Sequence, residues 1–452
     1  MIVKTNAPVI LIVSFQNYTG ISHLPKVLSE AGFSVCAVCP RNGHLSQTKF
    51  LKEVYPLPEH TFYWLFRKVF LKSVKEAKPV LLIPGDDAAL AFLQNLMFQL
   101  PSGEFKELLS LLKHSLGFPE YYRACTDKAA FGKMCESIVL NTPEQYLCLN
   151  TSEVVHTAAR LGFPLVFKKT LSCGGTGVHI CHNMQELRAH ATGFFGTGIH
   201  KLMDWLKWEV HKARGWDIRH LMQPQEELIL LQKYIEGKVI SHTFVTWKGE
   251  YLAGFTYENQ NKGERSKDPS RNIRIVDHVP ESEEIARKLA CHLGFTGFAC
   301  IDLIKDKKGE IFLLECNARP THTVVYGREI GLDLGRMLFE TRTLDQVPHD
   351  GIRNFALFPD AYRENPDNFD ANTSRIPWDD PKLFCSLLQE CPGQTISIKW
   401  LVSMVYYWTI DKLAAYRNRK LMFSYPVIPD FAANPGKQRS REEWMVVPEV
   451  SI

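Results

Sequence analysis

Residues 298–319 contain two strongly apolar segments that are joined by the polar sequence KDKKG, and each segment carries one acid. This pattern predicts an antiparallel hairpin. A two-residue turn centred on Lys308-Gly309 places Asp302 directly opposite Glu315, whereas a four-residue turn makes them diagonal neighbours. In either register both carboxylates lie on the same face of the sheet, because side chains along a strand alternate between the two faces.

Two carboxylates on one face of an apolar sheet need a compensating cation. At a separation of about 5 Å they repel each other, and Mg²⁺, with oxygen ligands at about 2.1 Å, fits between them. Asn317 lies two residues beyond Glu315 and joins the same face. The hairpin alone leaves a second interpretation open, in which one acid pairs with Arg319 or Lys305 and the other is solvated.

The N-terminal part of the chain has the pattern of a parallel α/β domain. The apolar run PVILIVSF at 8–15 predicts a strand that is buried on both faces, and a helix at 21–31 leads to a second strand. A further strand at 79–84 precedes a helix that Asp86 would cap. This order favours a Rossmann-like domain, and the short apolar start is interpreted as its first strand rather than as a signal peptide.

The composition is that of an ordinary globular chain of 452 residues, with 45% hydrophobic and 23% charged residues. The formal net charge of +4 is too small to indicate nucleic acid as a partner. Twelve scattered cysteines fit a reducing, cytoplasmic compartment better than a disulfide scaffold. No apolar run reaches the roughly 18 residues that a membrane-spanning helix requires.

A glycine-rich sequence, TLSCGGTGV, connects two predicted strands. Taken alone it is more typical of a hairpin turn than of a phosphate site, since the P-loop pattern is absent. The strand before it carries Lys168, which can reach a phosphate held by backbone N–H groups of the loop. Lys169 should leave the opposite face toward solvent, and Lys128, before a helix, is uninformative by itself.

Two further segments have both a structural and a functional interpretation. The polar stretch 259–276 contains Arg274, which would bind a substrate carboxylate if it points into a cleft, and a solvated loop is the alternative. The aromatic and basic segment 398–420 fits a packed helix or, as a second interpretation, an interfacial helix on a membrane surface. His322 and Tyr326 are additional candidates for a substrate pocket.

Six short motifs follow one another in the middle of the chain. They are TDK at 126–128, FPLVFK at 163–168, SCGGTGV at 172–178, LQKYIEG at 231–237, GFACID at 297–302 and LECNARP at 314–320. In order and spacing they resemble the ATP-grasp superfamily, which includes biotin carboxylase, D-alanine–D-alanine ligase and the large subunit of carbamoyl phosphate synthetase.

The resemblance implies a role for each motif. It assigns contacts with the ATP phosphates to Lys128 and Lys168, and stabilisation of the transferred phosphoryl group or acyl phosphate to Arg319. The mobile lid over the phosphates would contain Ser172, Gly174, Gly175, Thr176 and Gly177. The linker that takes the adenine edge would be Gln232, Lys233, Tyr234, Ile235 and Glu236. Two Mg²⁺ ions, which Mn²⁺ can replace, would be held by Asp302, Glu315 and Asn317.

The resemblance also implies a fold, of the α/β and α+β classes combined. Residues 1–120 would form a Rossmann-like domain, and residues 121–345 a two-lobed ATP-grasp domain with a mobile lid lobe at about 150–230. Residues 346–452 would be a C-terminal extension of unassigned fold. One departure from the family is the absence of a second, ribose-binding acid, whose place residues 239–241 occupy and for which Glu236 might substitute.

The implied function is an ATP-dependent ligase that forms a carbon–nitrogen bond. It would activate a substrate carboxylate as an acyl phosphate, join it to an amine or similar nucleophile, and release ADP and phosphate. The expected partners are small carboxylic acids and amines, with weak membrane-surface contact through 398–420. The alternative, favoured by the missing acid and the aromatic tail, is a catalytically reduced ATP-binding sensor or membrane-peripheral scaffold of the same fold.

Overall fold

The computed structural model describes residues 7–57, 63–171, 177–195, 228–260, 272–344, 353–364 and 375–389. Within these ranges the strands form three sheets. The motifs at 163–168, 231–237, 297–302 and 314–320 lie wholly or partly on strands of the second and third sheets, so the topology of these sheets determines which of their residues meet.

The elements are numbered in chain order. The strands are β1 (Val9–Val13), β2 (Ser34–Pro40), β3 (Glu53–Leu57), β4 (Leu81–Pro84), β5 (Gln145–Cys148), β6 (Leu165–Lys169), β7 (Val178–Cys181), β8 (Ile229–Lys233), β9 (Gly237–Trp247), β10 (Glu250–Asn259), β11 (Asn272–Ile275), β12 (Gly297–Asp306), β13 (Ile311–Asn317) and β14 (Asn354–Ala356). The α-helices are α1 (Leu24–Ala31), α2 (His44–Gln47), α3 (Tyr63–Ala77), α4 (Asp87–Gln99), α5 (Lys106–Leu116), α6 (Lys128–Ser137), α7 (Thr151–Leu161), α8 (Met184–Phe195), α9 (Pro280–Leu293), α10 (Leu334–Glu340), α11 (Asp360–Glu364) and α12 (Pro381–Gln389). Short 3₁₀ segments occupy Thr19–His23, Pro119–Cys125 and His322–Ile330.

The first sheet is parallel, with the strand order β3-β2-β1-β4. Strand β1 is central and almost wholly buried, as its continuous apolar sequence predicts. Asp86 caps α4 by accepting a hydrogen bond from the backbone N–H of Ala89, which confirms the predicted cap. The N-terminal part is therefore Rossmann-like, as expected.

The second sheet has six antiparallel strands in the order β13-β12-β9-β10-β11-β14. One face packs against the first sheet and its helices, and Phe298 and Phe255 contribute to that core. The other face packs against α6 and α9 through side chains such as Phe244 and Ile301. Because both faces are covered, polar side chains on this sheet need hydrogen-bond or ionic partners.

The third sheet is smaller and antiparallel, with the order β5-β8-β6-β7. Helices α7 and α8 cover one face, where Phe167 and Leu231 join the core. The other face carries Lys168 and Gln232. Period-two alternation along β6 and β8 thus separates the packing residues from the candidate ATP-binding residues.

The described part of the predicted C-terminal extension is attached to the second sheet and to the loop that precedes β3. Strand β14 pairs with β11, although it lies beyond the predicted boundary at residue 345. Just before α12, the buried Asp380 accepts hydrogen bonds from the Thr48 hydroxyl and the Lys49 backbone N–H. Segment 398–420 lies outside the described residues, and none of the described helices is long and apolar enough to cross a bilayer.

Candidate functional site

The hairpin formed by β12 and β13 brings the two predicted metal ligands together. Asp302 pairs directly with Glu315, which confirms the predicted opposition. The predicted turn is wrong in detail. Asp306 pairs with Glu310 around a three-residue loop, and a register shift between Asp302 and Leu303 restores the direct pairing. Such a bulge adds one residue to a single strand.

Asp302 is held by neighbours on the same face of the sheet. The Ser241 hydroxyl donates to Asp302 Oδ1 at 2.6 Å, and Asn317 Nδ2 lies 3.4 Å from Asp302 Oδ2. Burial, with the nearby Glu315 carboxylate, raises the pKa of Asp302 to about 7. Asp302 therefore resists ionisation while no cation lies beside it.

This donor set fits a hard divalent cation. Two opposed carboxylates and an amide oxygen are the ligands that suit Mg²⁺ and Mn²⁺. The raised pKa of Asp302 shows that negative charge here is insufficiently compensated by the protein. No group of three or more His, Cys, Asp and Glu side chains gathers in the described ranges, so the third ligand would be the amide of Asn317.

Two lysines approach these acids from other elements. Lys128 opens α6, and its backbone N–H donates to the carbonyl of Thr170 just after β6. Its Nζ lies 3.8 Å from Glu315 Oε2. Lys168 is 8% exposed, and burial lowers its pKa to about 8 while Glu315 opposes that shift. The predicted phosphate-binding lysines and the acids thus form one cluster.

Lys169 leaves β6 on the opposite face from Lys168. Its Nζ lies 5.3 Å from the ring centroid of Phe194, so it packs over α8 rather than pointing into open solvent as predicted. Gly177 has a φ of +74°, and a Cβ there would lie 2.8 Å from Lys169 Cδ, which explains the glycine. The predicted lid residues Ser172, Gly174, Gly175 and Thr176 lie outside the described residues.

The face of the third sheet that α7 and α8 do not cover combines a buried amide with half-buried apolar side chains. Gln232 is 3% exposed, and its Nε2 donates to Gln145 Oε1 at 3.0 Å. Gln232 pairs across the sheet with Val166, and Val166 pairs with Ile180 on the next strand; both are half-buried and apolar. An amide beside apolar side chains can take the edge and the face of a purine ring.

The rest of the predicted linker is more open. Lys233 is exposed, and Tyr234 and Ile235 are partly exposed. Glu236 is exposed and its Oε1 lies 2.8 Å from Lys307 Nζ. Glu236 is therefore engaged in a surface ion pair, which weakens the idea that it replaces the missing ribose-binding acid.

Arg319 has a partner that the sequence did not indicate. Its Nε and Nη2 donate to the two carboxylate oxygens of Asp87, at 2.6 and 2.8 Å. Nη2 also lies 3.4 Å from Asn317 Oδ1. The alternative in which Arg319 neutralises an acid of the hairpin is therefore not what the structure shows.

Arg274 is a correction to the sequence prediction. Its guanidinium donates to Glu258 Oε2 at 2.9 and 3.2 Å, and Lys238 binds the other oxygen of Glu258. Glu258 pairs with Ile240 on β9, whereas Asp302 pairs with the next residue of that strand, Ser241. Adjacent residues of a strand point to opposite faces of the sheet. Arg274, which binds Glu258, therefore lies on the opposite face from Asp302 and does not enter a cleft beside it as predicted.

The two other pocket candidates are packing residues. His322 stacks on His23 with ring centroids 5.2 Å apart, and burial lowers the pKa of both imidazoles. Tyr326 is fully buried, with its ring 4.8 Å from that of Phe355. These side chains join the 3₁₀ segment to its neighbours rather than lining an open cleft.

Residues 127–198 match the family described as "Carbamoyl-phosphate synthase L chain, ATP binding domain". This match supports the expected resemblance to the ATP-grasp superfamily. Among curated ATP-grasp relatives, the carbamoyl phosphate synthase large chain of Thermus thermophilus is 23% identical over 265 residues, which is 56% of this chain and 22% of the relative. That of Clostridium botulinum is 24% identical over 208 residues, or 44% and 17%.

Two solved structures have the same ATP-grasp fold. The biotin carboxylase domain of a 2-oxoglutarate carboxylase from Hydrogenobacter thermophilus, in complex with MgADP and bicarbonate, has a TM-score of 0.53 and 15% identity and covers 78% of this chain and 73% of that one. An N5-carboxyaminoimidazole ribonucleotide synthetase from Thermus thermophilus has a TM-score of 0.53 and 13% identity, with coverage of 76% and 82%. The chain spans about a fifth of its curated relatives, so their activities do not transfer directly.

Proposed function

We propose that this chain is an ATP-dependent ligase that activates a substrate carboxylate as an acyl phosphate and joins it to an amine. One observation carries the proposal. Lys128 lies 3.8 Å from Glu315, and Lys168, on another element, interacts electrostatically with Glu315 and Asp302, which face each other across the hairpin. Phosphoryl transfer needs positioning and charge stabilisation more than covalent help from the protein, and this cluster supplies both kinds of charge.

The lysines would hold the phosphates of ATP. Lys168 is buried with a pKa lowered to about 8, so a bound phosphate, as an added negative charge, would favour its protonated form. The backbone N–H of Lys128 donates to the carbonyl of Thr170, which follows β6 and lies two residues after Lys168. Both cations are therefore fixed before ATP binds, which lowers the cost of reorganisation.

The carboxylates would act through a cation. Mg²⁺ held by Asp302, Glu315 and Asn317 would neutralise charge on the phosphates. Ser241 keeps Asp302 oriented through its hydrogen bond. Arg319, whose Nη2 lies 3.4 Å from Asn317 Oδ1, would donate to the transferred group.

The proposed reaction has two steps. A carboxylate oxygen of the substrate attacks the γ-phosphorus, and the bond to ADP breaks, which leaves an acyl phosphate. The amine then attacks the carbonyl carbon, phosphate leaves with the electron pair of the carbon–oxygen bond, and the amine loses a proton. The first step converts a poor leaving group into a good one.

A substrate screen tests the proposal. Mixtures of carboxylic acids with amines are incubated with Mg·ATP and the purified chain, and ADP release is measured with mass spectrometry of the products. A pair that gives a condensed product, lost in Glu315→Gln and kept in Glu310→Gln, supports the proposal, because Glu310 is exposed at the hairpin turn. ATP binding without ADP release for any acid with amines, ammonia, thiols or alcohols would favour the non-catalytic alternative.

A further inference from the structure

The pair formed by Arg319 and Asp87 joins two distant parts of the chain. The residues are 232 positions apart. Their two hydrogen bonds are roughly parallel, from Nε and Nη2 to the two carboxylate oxygens, and the side chains are only 13% and 20% exposed. A bidentate contact of this kind fixes the plane of the guanidinium as well as its position.

Asp87 is itself held rigidly. It is the first residue of α4, directly after the buried cap Asp86. One carboxylate oxygen of Asp86 accepts hydrogen bonds from Ser14 Oγ and from the backbone N–H groups of Phe15 and Gln16, which follow β1. The start of α4 is thus fastened to the end of the central strand, and Asp87 has little freedom to move.

The fold places this pair at a site where ligands commonly bind. In the order β3-β2-β1-β4, the strands β2 and β3 lie on one side of β1, and β4 lies on its other side. The direction of the topology therefore switches between β1 and β4. Open parallel sheets bind ligands in the crevice at the carboxyl ends of the strands at such a point. Asp87 follows β4 at that edge, so Arg319 reaches from the ATP-grasp sheet to the crevice.

The contacts of Arg319 leave one nitrogen for a ligand. Nε and Nη2 are used by Asp87, and Nη2 also approaches Asn317. Within the part of the chain that the structure describes, Nη1 has no hydrogen-bond partner. Because the guanidinium is planar, fixing two of its nitrogens also fixes the direction of the third.

We propose that Asp87 is a positioning residue that holds Arg319 so that Nη1 donates to the phosphoryl group during transfer. The inference rests on the proposed function, because it assigns Asp87 a part in the same reaction. It gives the Rossmann-like domain a direct role in the chemistry of the ATP-grasp site. An arginine held in advance pays no cost of reorientation when charge develops on the transferred group.

The test compares two substitutions that each remove one partly buried ion pair. Asp87→Asn keeps the shape of the side chain and removes its charge. Asp333→Asn is the matched control, since Asp333 Oδ2 lies 2.7 Å from Arg328 Nε with side chains 29% and 19% exposed. Asp333 also caps α10, and asparagine is an equally good cap. Arg328 keeps its ion pair with Glu30 in Asp333→Asn, so we expect this control to lose less thermal stability than Asp87→Asn.

The kinetic readout is Mg·ATP turnover, measured as ADP formation. We expect Asp87→Asn to lower kcat roughly tenfold or more with KM for ATP changed less than about twofold. Asp87→Glu, which keeps the charge, should recover part of kcat. Asp333→Asn should change neither constant by more than about twofold. Equal kcat values for Asp87→Asn and Asp333→Asn would overturn the proposal.

A double substitution separates positioning from general damage. With Arg319→Gln already in place, Asp87→Asn should change kcat less than about twofold, because its effect acts through Arg319. An undiminished effect in that background would also overturn the proposal. If the parent chain is folded and shows no Mg·ATP turnover at all, the proposed function fails first, and the role of Asp87 in transfer fails with it.

A structural readout needs no activity. In protein labelled with ¹⁵N in the arginine side chains, the Nε–H signal of Arg319 should be protected from exchange with water in the parent and in Asp333→Asn. Asp87→Asn should expose it. If that protection is lost while kcat is unchanged, Asp87 orients Arg319 without serving the reaction, and the proposal is wrong.

Discussion

Replacing Glu315 with Gln should make the cation-free protein more stable at alkaline pH and remove its response to Mg²⁺. The pKa of Asp302 is raised from 3.8 to about 7 by burial and by the Glu315 carboxylate. The folded chain therefore holds a proton that the unfolded chain releases between about pH 4 and pH 7. Stability from this group is present at low pH and is lost as the pH rises through the folded-state pKa.

The size of the effect follows from the causes of the shift. Each pKa unit corresponds to about 1.4 kcal/mol. Burial is the largest cause and persists after the substitution, and Glu315 is 39% exposed, so solvent screens its charge. We therefore assign only about 1 to 2 kcal/mol of the free energy of unfolding to the repulsion. In a chain of this size that corresponds to a Tm change of roughly 2 °C.

The assay is thermal unfolding at about pH 5 and about pH 8, with and without excess MgCl₂. In the parent, Mg²⁺ should raise Tm more at the higher pH, which lies above the pKa of Asp302. Glu315→Gln should start from a higher Tm at about pH 8 and respond little to Mg²⁺. Glu310→Gln, at the exposed hairpin turn, should behave like the parent. An equal Mg²⁺ response in the parent and in Glu315→Gln would refute a cation site between these acids.

Three other outcomes are expected. Lys168→Ala should lower ATP turnover by roughly two orders of magnitude, whereas Lys169→Ala, on the face that packs on Phe194, should change it only mildly. The two variants should have similar melting temperatures. Loss of turnover in Lys169→Ala instead would show that the strand register is misassigned. Backbone amides of 171–178 should exchange more slowly with solvent once a Mg·ATP analogue is bound, and equal exchange rates would contradict a lid. Arg274→Gln should lower stability by about 1 kcal/mol and leave turnover within about twofold, since its partner Glu258 faces away from Asp302; a large loss of kcat would return Arg274 to the site.

The hairpin could be predicted because its information is local. Alternating side chains, two apolar segments and one short connection limit Asp302 and Glu315 to a few registers. The two registers that the sequence suggests, with a turn of two or four residues, both put them on one face, whereas the three-residue loop in the structure would by itself put them on opposite faces. The bulge between Asp302 and Leu303 restores the shared face.

The partners of the two arginines could not be predicted in the same way. Asp87 and Arg319 meet only because the Rossmann-like sheet packs against the six-stranded sheet, and no local pattern encodes a contact across 232 residues. The predicted position of Arg274 in the cleft was wrong for a different reason. Its strand is short, and its face depends on pairing with β10, which the polar sequence around it does not specify.

Ser241 lies in the stretch 239–241, where the resemblance leads us to expect an acid, and the sequence alone gave it no role. Sequence comparison records only the lost carboxylate, whereas the structure shows a hydroxyl that donates to Asp302 Oδ1 at 2.6 Å. An acid at that position would add negative charge beside a carboxylate whose pKa is already raised. The serine thus supplies a hydrogen bond without further repulsion, which is compatible with an intact cation site.

The charges of the cluster connect the binding of metal and nucleotide. Without ligands, Glu315 has Lys128 at 3.8 Å, a loose contact on a partly exposed acid. If Glu315 binds the proposed cation, that bond would compete with this contact and would favour a contact between Lys128 and a phosphate oxygen. Binding of the cation to Glu315 and binding of a phosphate to Lys128 would each replace the weak contact between these two residues. Binding of Mg²⁺ should therefore raise the affinity for ATP, and binding of ATP should raise the affinity for Mg²⁺. A cation that bound equally well with and without ATP would show that Lys128 and Glu315 are not exchanging partners.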